Sequence, residues 1–511
     1  MENQRSSWGS NLGFVLAAIG SAVGLGNIWG FPYKMGKSGG FTFLIVYVLL
    51  AVFVGFIIMA SELAFGRKTR LSPIKAYQSA TKKYKWLGYL AVLSPFLIMT
   101  FYSVLGGYCI YYIVINIAGI FGTMPDSSSF GAMLTNMPVS IGVLLLFMVL
   151  CGLIVAGGVE GGIEKFNKVG MPALFVMLVV VIIKAWTMPN ASEGLKFMFV
   201  PGYAVSAGFI DEAPNFITVL GTAGGQMFFS LSLAMGIMIT YGSYIQKGEN
   251  LVKNSAVIVF ADSLVAIMAG LAVIPAAVAH GISIGTPLNE IKLSGPNLLF
   301  ATLQDVFCDM GKIGGVFGAI FYILVLLAAM SSAISLTEVI TAHFIDKKIE
   351  KGEKNPDRKG ITIWVAVAIT VVGLLVSADG LGSNGISPAD LFGMKVDGWN
   401  DCWLDFMDCW SEGIMMPLGA MLMAIMIGGE LRPKYILDEI SDGAKVTGFF
   451  GKFYTFCICY VVPLAMVLVF AGQIQAFFSG SGIYAYIIAA IAMIMCMWHT
   501  LIPNNEETLK K

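Results

Sequence analysis

The chain has 511 residues, of which 57% are hydrophobic and only 12% are charged, and its mean hydropathy is +0.81. These values exclude a soluble globular domain and are typical of a polytopic membrane protein. Because the 31 basic and 31 acidic side chains cancel, nucleic acid is not expected as a partner, whereas the lipid bilayer is.

Apolar stretches of about 20 residues or more predict about twelve membrane-spanning helices, and hence an all-α membrane protein. The expected spans lie near 11–33, 40–65, 86–118, 138–156, 166–187, 216–246, 251–280, 314–345, 361–377, 404–428, 451–475 and 483–502. No soluble domain is indicated between them, so residues 1–511 are expected to form a single transmembrane domain.

Loop charges predict the orientation of these spans. Lysine and arginine crowd the second connection, 67–85, and the eighth, 347–359, whereas the opposite loops hold mainly aspartate. The positive-inside rule then places both termini in the cytoplasm of what we expect to be a bacterial cell, at its inner membrane. Cys402 and Cys409 fall on the outer side, where free thiols or a disulfide are both compatible with the sequence.

Glycines interrupt the first span, which contains Gly20-Ser-Ala-Val-Gly-Leu-Gly-Asn27. Non-helical backbone at membrane depth is tolerated only where it is buried in protein or lines a cavity, so such a break indicates a binding site. A small-residue contact between helices is the alternative. The sixth span is also interrupted, at 230–236, and two breaks five spans apart favour the binding site.

The two breaks predict a five-plus-five inverted repeat. Helices 1–5 (about 11–187) would form the first repeat and helices 6–10 (about 216–428) the second. Helices 11–12 (about 451–502) would be peripheral.

Three carboxylates lie within the predicted spans, namely Glu62, Asp262 and Glu338. A buried charge is costly in a bilayer, so each needs a partner or a function. For Glu62 we favour a structural function, in which it accepts hydrogen bonds from amides freed where spans one and six unwind. For Asp262 we favour the balance of a bound cation, with a plain hydrogen bond to a hydroxyl as the alternative.

Several motifs resemble those of the neurotransmitter:sodium symporter family. They are Trp8, Gly20 to Asn27, Phe31-Pro32, Glu62, Gly66-Arg67, Gln226-Met-Phe-Phe-Ser-Leu-Ser232, Ile239-Thr-Tyr-Gly-Ser-Tyr244 and Ala328-Ala-Met-Ser-Ser332. The resemblance extends over spans one to ten. It implies a bacterial Na⁺-coupled amino-acid transporter, not an enzyme, with the LeuT-like five-plus-five inverted repeat and broken helices 1 and 6.

The resemblance implies two sodium ions. Site one would consist of the Ala22 carbonyl, the Asn27 amide oxygen, Ser230 and Asp262, completed by a substrate carboxylate. Site two would consist of the carbonyls of Gly20, Val23 and Ala328 and the hydroxyls of Ser331 and Ser332. Carbonyl and hydroxyl oxygens suit Na⁺, and a shared carboxylate would couple ion and substrate directly.

The resemblance also implies a substrate site at the same breaks. The amides of Leu25 and Gly26, at the N-terminus of a half-helix, and the Tyr102 hydroxyl would bind a carboxylate. The carbonyls of Ala22, Phe229 and Ser230 and the Ser232 hydroxyl would lie against the α-ammonium. The side-chain pocket would be lined by Ile98, Tyr102, Phe229, Ser232, Met235, Ser332 and Leu336.

The pocket residues indicate the class of substrate. Gly24 stands where monoamine members carry an aspartate, which favours an amino acid. The implied lining carries no charge, so a neutral hydrophobic or aromatic amino acid is expected. Met235 replaces an aromatic residue of leucine-type members, and its flexibility favours large or varied substrates, tryptophan among them.

The resemblance implies two gates. The inner gate would comprise Arg5, Trp8, Tyr244, Glu338 and Asp346. At the outer gate, Asp408 matches the family's aspartate, but Gly30 stands where its arginine partner is expected. Outer closure is then expected to depend on Phe229 over Tyr102, on waters or on another cation.

Chloride is not expected to be required, because Ala266 stands where chloride-dependent members carry a serine and Asp262 already supplies a negative charge. Two alternatives stay open. One is a proton-coupled transporter of the same fold, with Asp262 or Glu62 as proton carrier, and the other is a receptor that transports nothing. We favour a Na⁺-coupled symporter that works by alternating access; the sequence does not indicate its oligomeric state.

Overall fold

Helices account for nearly all regular structure in the computed structural model, which describes residues 7–291, 293, 295–396, 398–442, 448–478 and 487. This part of the chain contains no β-strand. A helix satisfies its backbone hydrogen bonds internally, which is the requirement that a bilayer imposes on a spanning segment.

Within the described residues, nine helices are long and apolar enough to cross a membrane, and one bent pair makes a tenth candidate span. A further pair, too short to be counted singly, forms the interrupted sixth span. In chain order these helices are α1 (Asn11–Ala22), α2 (Gly26–Lys37), α3 (Phe41–Thr69), α4 (Leu87–Phe121), α5 (Met137–Ala156), α6 (Val159–Trp186), α7 (Phe216–Ser230), α8 (Ile237–Gly242), α9 (Leu251–Ser283), α10 (Lys312–Glu350), α11 (Arg358–Asp379), α12 (Trp403–Leu431) and α13 (Gly448–Phe477).

The connections carry short helices. These are Pro73–Ala80, Ser128–Thr135, Ala191–Phe199, Tyr203–Ser206, Leu288–Glu290, Gly295–Asn297, Leu298–Thr302, Leu303–Asp309, Pro388–Phe392 and Pro433–Ile440. Eleven of the twelve predicted spans coincide with α1 to α13, which confirms the all-α architecture. The twelfth, 483–502, lies outside the described residues except for Ile487.

Both predicted breaks are present. Helices α1 and α2 are bent by 44° across the three residues that separate them. Helices α7 and α8 are separated by six residues, and three of these, Ser232, Ala234 and Gly236, have positive φ. Two non-glycine residues in the left-handed region store strain, which is typical of a functional segment.

Close contact between α3 and α8 fixes the half of the sixth span that follows its break. A Cβ added at Gly66 would collide with the carbonyl oxygen of Ile239, and one added at Gly242 would lie 2.5 Å from that of Leu63. At these two glycines backbone therefore packs on backbone, which only small residues allow. The residue after Gly66, Arg67, is fully buried and donates from Nε to Glu439 at 2.6 Å and from Nη1 to the Glu249 carbonyl at 2.7 Å.

Replacing Gly66 with alanine is therefore expected to destabilise the protein, by about 1–3 kcal/mol, because the new methyl group has no space. Gly142 in α5 is the matched control, since a Cβ there meets nothing within 4 Å. Thermal unfolding of the two purified variants in detergent checks this. A Gly66→Ala midpoint equal to that of Gly142→Ala would contradict the packing described.

Candidate functional site

The break between α1 and α2 frees backbone groups, and side chains from other helices bond them. The Gly24 amide donates to Asn27 Oδ1 at 2.9 Å, and the Leu25 amide donates to the Tyr102 hydroxyl at 2.9 Å. The Gly26 carbonyl accepts from Gln226 Nε2 at 2.7 Å. Asn27 belongs to α2 itself, whereas Tyr102 and Gln226 come from α4 and α7, so the break joins distant parts of the chain instead of being a local defect.

Asp262 of α9 lies beside the break and is fully buried. Its carboxylate accepts from Asn27 Nδ2 at 2.7 Å, from the Ser230 hydroxyl at 2.9 and 3.0 Å, and from the Tyr47 hydroxyl at 3.3 Å. Within the described residues no cationic side chain forms an ion pair with it. A buried carboxylate with only neutral donors beside it is costly to ionise unless a cation pairs with it, and a small hard cation suits such a group.

This cluster fits site one of the sodium prediction, with one difference and one addition. The Asn27 amide oxygen, predicted to face an ion, accepts from Gly24, and the amide nitrogen faces Asp262 instead. The physical reason is that a carboxylate in a low-dielectric site attracts nearby donors. Tyr47 is an addition that sequence reasoning missed, because an aromatic residue in an apolar span reads as core.

Three of the five residues predicted for site two meet, namely Val23, Ala328 and Ser331. The Ser331 hydroxyl donates to the carbonyl of Ala328 at 2.8 Å and to that of Val23 at 3.3 Å, so α1 and α10 are in direct contact. Gly20 packs directly against the Asn167 side chain of α6. Ser332 faces away from this group, because its hydroxyl donates to the Ser21 carbonyl at 2.9 Å and lines the neighbouring cavity.

One small cavity lies between the two breaks, and all seven predicted side-chain pocket residues line it. The lining consists of Ser21, Ala22, Gly24, Gly26, Ile98, Tyr102, Phe229, Ser232, Met235, Ser332 and Leu336. None of these described residues is charged. The cavity has a volume of about 10 Å³, roughly the room that one water requires, so a bound amino acid requires side chains such as Phe229 and Met235 to move.

The polar groups around this cavity are of two kinds. The Leu25 amide donates to the Tyr102 hydroxyl, which lines the cavity, and the adjacent N-terminus of α2 carries a partial positive charge. Near Ser21, the hydroxyls of Ser232 and Ser332 both donate to its carbonyl at 2.9 Å. Ser21 was not among the predicted site residues. A molecule with a carboxylate and an ammonium group on one carbon matches this arrangement.

Glu62 lies at the second break, where it was predicted. Its Oε1 accepts from the Ala234 amide at 2.7 Å, between two residues with positive φ. The bond compensates a backbone donor that the interrupted helix cannot satisfy. Within the described residues the contact is to span six, and none to the break of span one is present.

The predicted inner end carries a side-chain network around Glu338. Its carboxylate accepts from the Tyr244 hydroxyl at 2.8 Å and from Arg358 Nη1 at 3.2 Å, and Arg358 Nη2 completes a bidentate ion pair. Glu338 is fully buried and the Arg358 side chain is 19% exposed. Trp8 donates its indole N–H to the Tyr241 carbonyl at 3.1 Å and covers this network.

Arg358 was not predicted, because a basic residue within a lysine-rich connection reads as a solvated charge. Two other residues were predicted for the inner gate. Asp346 lies outside the Glu338 network and accepts a hydrogen bond at 2.6 Å from the amide of Ser72, which is on the connection after α3. Arg5 lies outside the described residues.

At the predicted outer end, the cation is Lys34, one helical turn after Gly30. Lys34 forms an ion pair with Glu412, and its Nζ lies 6.0 Å from the ring centroid of Phe229. A Cβ at Gly30 would lie 2.9 Å from Gln226 Oε1, so the Gln226 side chain lies directly beside that position. Phe229 in turn lies 6.3 Å from Tyr102, centroid to centroid.

Asp408, matched from sequence to the outer gate, lies one turn before Glu412 on α12. Both carboxylates line a cavity of about 60 Å³ together with Lys34. The described ion pair runs to Glu412, which sequence reasoning did not select. Cys402 and Cys409, nearby on the same segment, are free thiols.

The sequence matches a known protein family and relatives in other organisms. The model of the sodium:neurotransmitter symporter family matches residues 5–122 and 129–503. The sodium-dependent transporter YhdH of Bacillus subtilis is 33% identical over 478 residues, which cover 93% of this chain and 98% of the relative. A sodium-dependent transporter of Methanocaldococcus jannaschii is 28% identical over 527 residues, 99% of each chain.

The fold is similar to a solved structure as well. The crystal structure of MhsT in complex with L-phenylalanine superposes with a TM-score of 0.78 at 33% sequence identity. The match covers 92% of this chain and 100% of that one. The likeness therefore extends over the whole helical bundle and is not confined to the breaks.

Proposed function

Because the chain belongs to the sodium:neurotransmitter symporter family, we propose that it imports a neutral hydrophobic or aromatic L-amino acid together with Na⁺. The chain is a multi-pass, sodium-dependent membrane transporter and not an enzyme. What we add to that is the substrate class, the number of ions, chloride independence, the orientation and the residues that perform each step.

The observation that carries the proposal is that one short break serves both the cation cluster and the cavity. Asn27 bonds Asp262 and the Gly24 amide, while the next amide, of Leu25, faces the cavity through Tyr102. A substrate carboxylate at the Leu25 amide would lie two residues along the break from Asn27, which bonds the Asp262 carboxylate where the cation would bind. Each then offsets the cost of burying the other, which is the physical basis of coupled binding.

The cavity supports a neutral α-amino acid. Its described lining is uncharged, so a charged side chain would be buried without a partner. A Cβ at Gly24 would collide with the Ser332 hydroxyl and lie 2.6 Å from that of Tyr102, so the carboxylate of a monoamine-type site has no room. MhsT is described in complex with L-phenylalanine, which supports an aromatic substrate.

Two sodium ions are proposed. The first would contact Asp262, Ser230 and the Ala22 carbonyl, and the Asn27 amide would rotate away from Gly24 to turn its oxygen to the ion. The second would contact the Ser331 hydroxyl of α10, the carbonyls of Val23 and Ala328, and the Gly20 carbonyl at the end of α1. Because it connects α1 to α10, its release would free the inner half of the first span.

Alternating access would then proceed by closing one gate while the other opens. On the outer side, Lys34 with Glu412 would close over Phe229 and Tyr102. On the inner side, we propose that Arg358 and Glu338 form the closing pair beneath Trp8, with both termini in the cytoplasm. The two inverted repeats, 11–187 and 216–428, would move against each other in the single transmembrane domain.

Uptake of radiolabelled L-phenylalanine or L-tryptophan into proteoliposomes tests this function. An inward Na⁺ gradient is expected to drive accumulation, and replacing chloride with gluconate is expected to leave it unchanged because Asp262 supplies the negative charge. Replacing Na⁺ with K⁺ should abolish it. Equal uptake in K⁺, or uptake driven by a pH gradient alone, would contradict sodium coupling.

The Lys34 gate predicts a difference between two neighbouring lysines. Lys34→Gln removes the ion pair with Glu412, so a cysteine introduced at Met235, beneath the gate, is expected to react several-fold faster with an external, membrane-impermeant thiol reagent. Lys37→Gln is the matched control, since Lys37 is exposed and forms no ion pair with a described residue. Equal reaction rates in the two variants would show that Lys34 does not close the outer path.

A further inference from the structure

A large groove opens on the side of the bundle, away from the transport cavity. It has a volume of about 1020 Å³ and lies between α4, α10 and α11, near their predicted cytoplasmic ends. Aromatic and aliphatic side chains form its walls, among them Tyr89, Phe96, Phe344 and Trp364. Trp364 is 76% exposed, so it presents its indole ring to whatever fills the groove.

The depth of the groove matches one leaflet of a bilayer. It runs along α11 from Asp357, directly before the helix, to Ala368, about 16 Å at 1.5 Å per residue. The hydrocarbon core of a bilayer is about 30 Å thick. The apolar walls are therefore about as long as one leaflet of that core is thick, which is the reach of an acyl chain.

The mouth of the groove is basic. Lys347, Lys348 and Lys351 line it together with a single acidic residue, Asp357. Lys348 is 3.4 Å from Glu353, whereas Lys347 and Lys351 form no ion pair with any described residue. His343, one turn before Lys347, also lines the groove, and its buried Nδ1 has no described hydrogen-bond partner.

We propose that this groove is a binding site for one anionic phospholipid of the cytoplasmic leaflet. Its acyl chains would lie along Trp364, Phe344 and Phe96, and its phosphate would lie between Lys347 and Lys351. The charge of the mouth favours an anionic occupant. A zwitterionic lipid offers no net charge to two lysines that pair with none of the described residues, whereas an anionic headgroup does. The site lies beyond the proposed function, and binding there can be measured without transport.

The groove also adjoins the proposed inner gate. Arg358, which pairs with Glu338, directly follows Asp357 in the groove wall, and Ile340 of the wall lies two residues from Glu338 on α10. A lipid wedged between α10 and α11 would thus contact both helices that carry the closing pair.

Fluorescence quenching by brominated lipids tests the binding site. The full chain is reconstituted in phosphatidylcholine vesicles that contain brominated phosphatidylglycerol or brominated phosphatidylcholine at the same low fraction, and the signal of Trp364 is obtained by difference from Trp364→Phe. Brominated phosphatidylglycerol is expected to quench Trp364 more strongly. The double variant Lys347→Gln/Lys351→Gln is expected to lose this preference, about fivefold in relative binding constant for each lysine.

Two further variants make the test specific. Lys434→Gln/Lys452→Gln removes two exposed lysines at the same end of the bundle but outside the groove, and it should retain the preference. Ala368→Phe fills the apolar wall and should weaken quenching by phosphatidylglycerol while leaving the lysines in place. Equal quenching by the two brominated lipids, or a preference that survives loss of Lys347 and Lys351, would overturn the proposal and leave an ordinary lipid-facing surface.

Discussion

The structure depends on one constraint: backbone groups released by a broken helix inside a membrane must be bonded by something other than water. In the break of the first span, Asn27, Tyr102 and Gln226 supply those bonds. In the break of the sixth span, Glu62 does so. Because Tyr102, Gln226 and Glu62 belong to three other helices, the breaks fix the relative positions of α3, α4 and α7, and the proposed ion and substrate sites are consequences of that arrangement.

The same constraint explains why the polar chemistry is concentrated at the centre. Asp262 is stabilised by Asn27, Ser230 and Tyr47, which face it from three different spans, so a displacement of α2 relative to α9 changes its environment. Two ion pairs, Lys34 with Glu412 and Arg358 with Glu338, are proposed to lie on opposite sides of this centre. In each pair the carboxylate is buried more deeply than its basic partner, and we propose that these contacts form and break in each transport cycle.

Much of the fold was accessible from sequence, because hydropathy sets the spans and glycine clusters set the breaks. The central residues came mainly from a resemblance to a family, since Ser230 or Ile98 alone is indistinguishable from ordinary core. Lys34 and Arg358 were missed for a physical reason. Whether a cation near a span end is solvated or paired depends on its neighbours in space, and Glu412, the partner of Lys34, lies 378 residues away in sequence. The rotation of the Asn27 amide depends in the same way on contacts that no spacing encodes.

The central claim is that Asp262 links the cation to the substrate through the break of the first span. Equilibrium binding of radiolabelled amino acid to the purified protein, measured over a range of Na⁺ concentrations in the wild type and in Asp262→Asn, tests it most directly. Replacing Asp262 with asparagine is expected to raise the Na⁺ concentration for half-maximal binding at least tenfold, which corresponds to about 1.4 kcal/mol. An unchanged Na⁺ dependence in Asp262→Asn, with the variant folded, would contradict it.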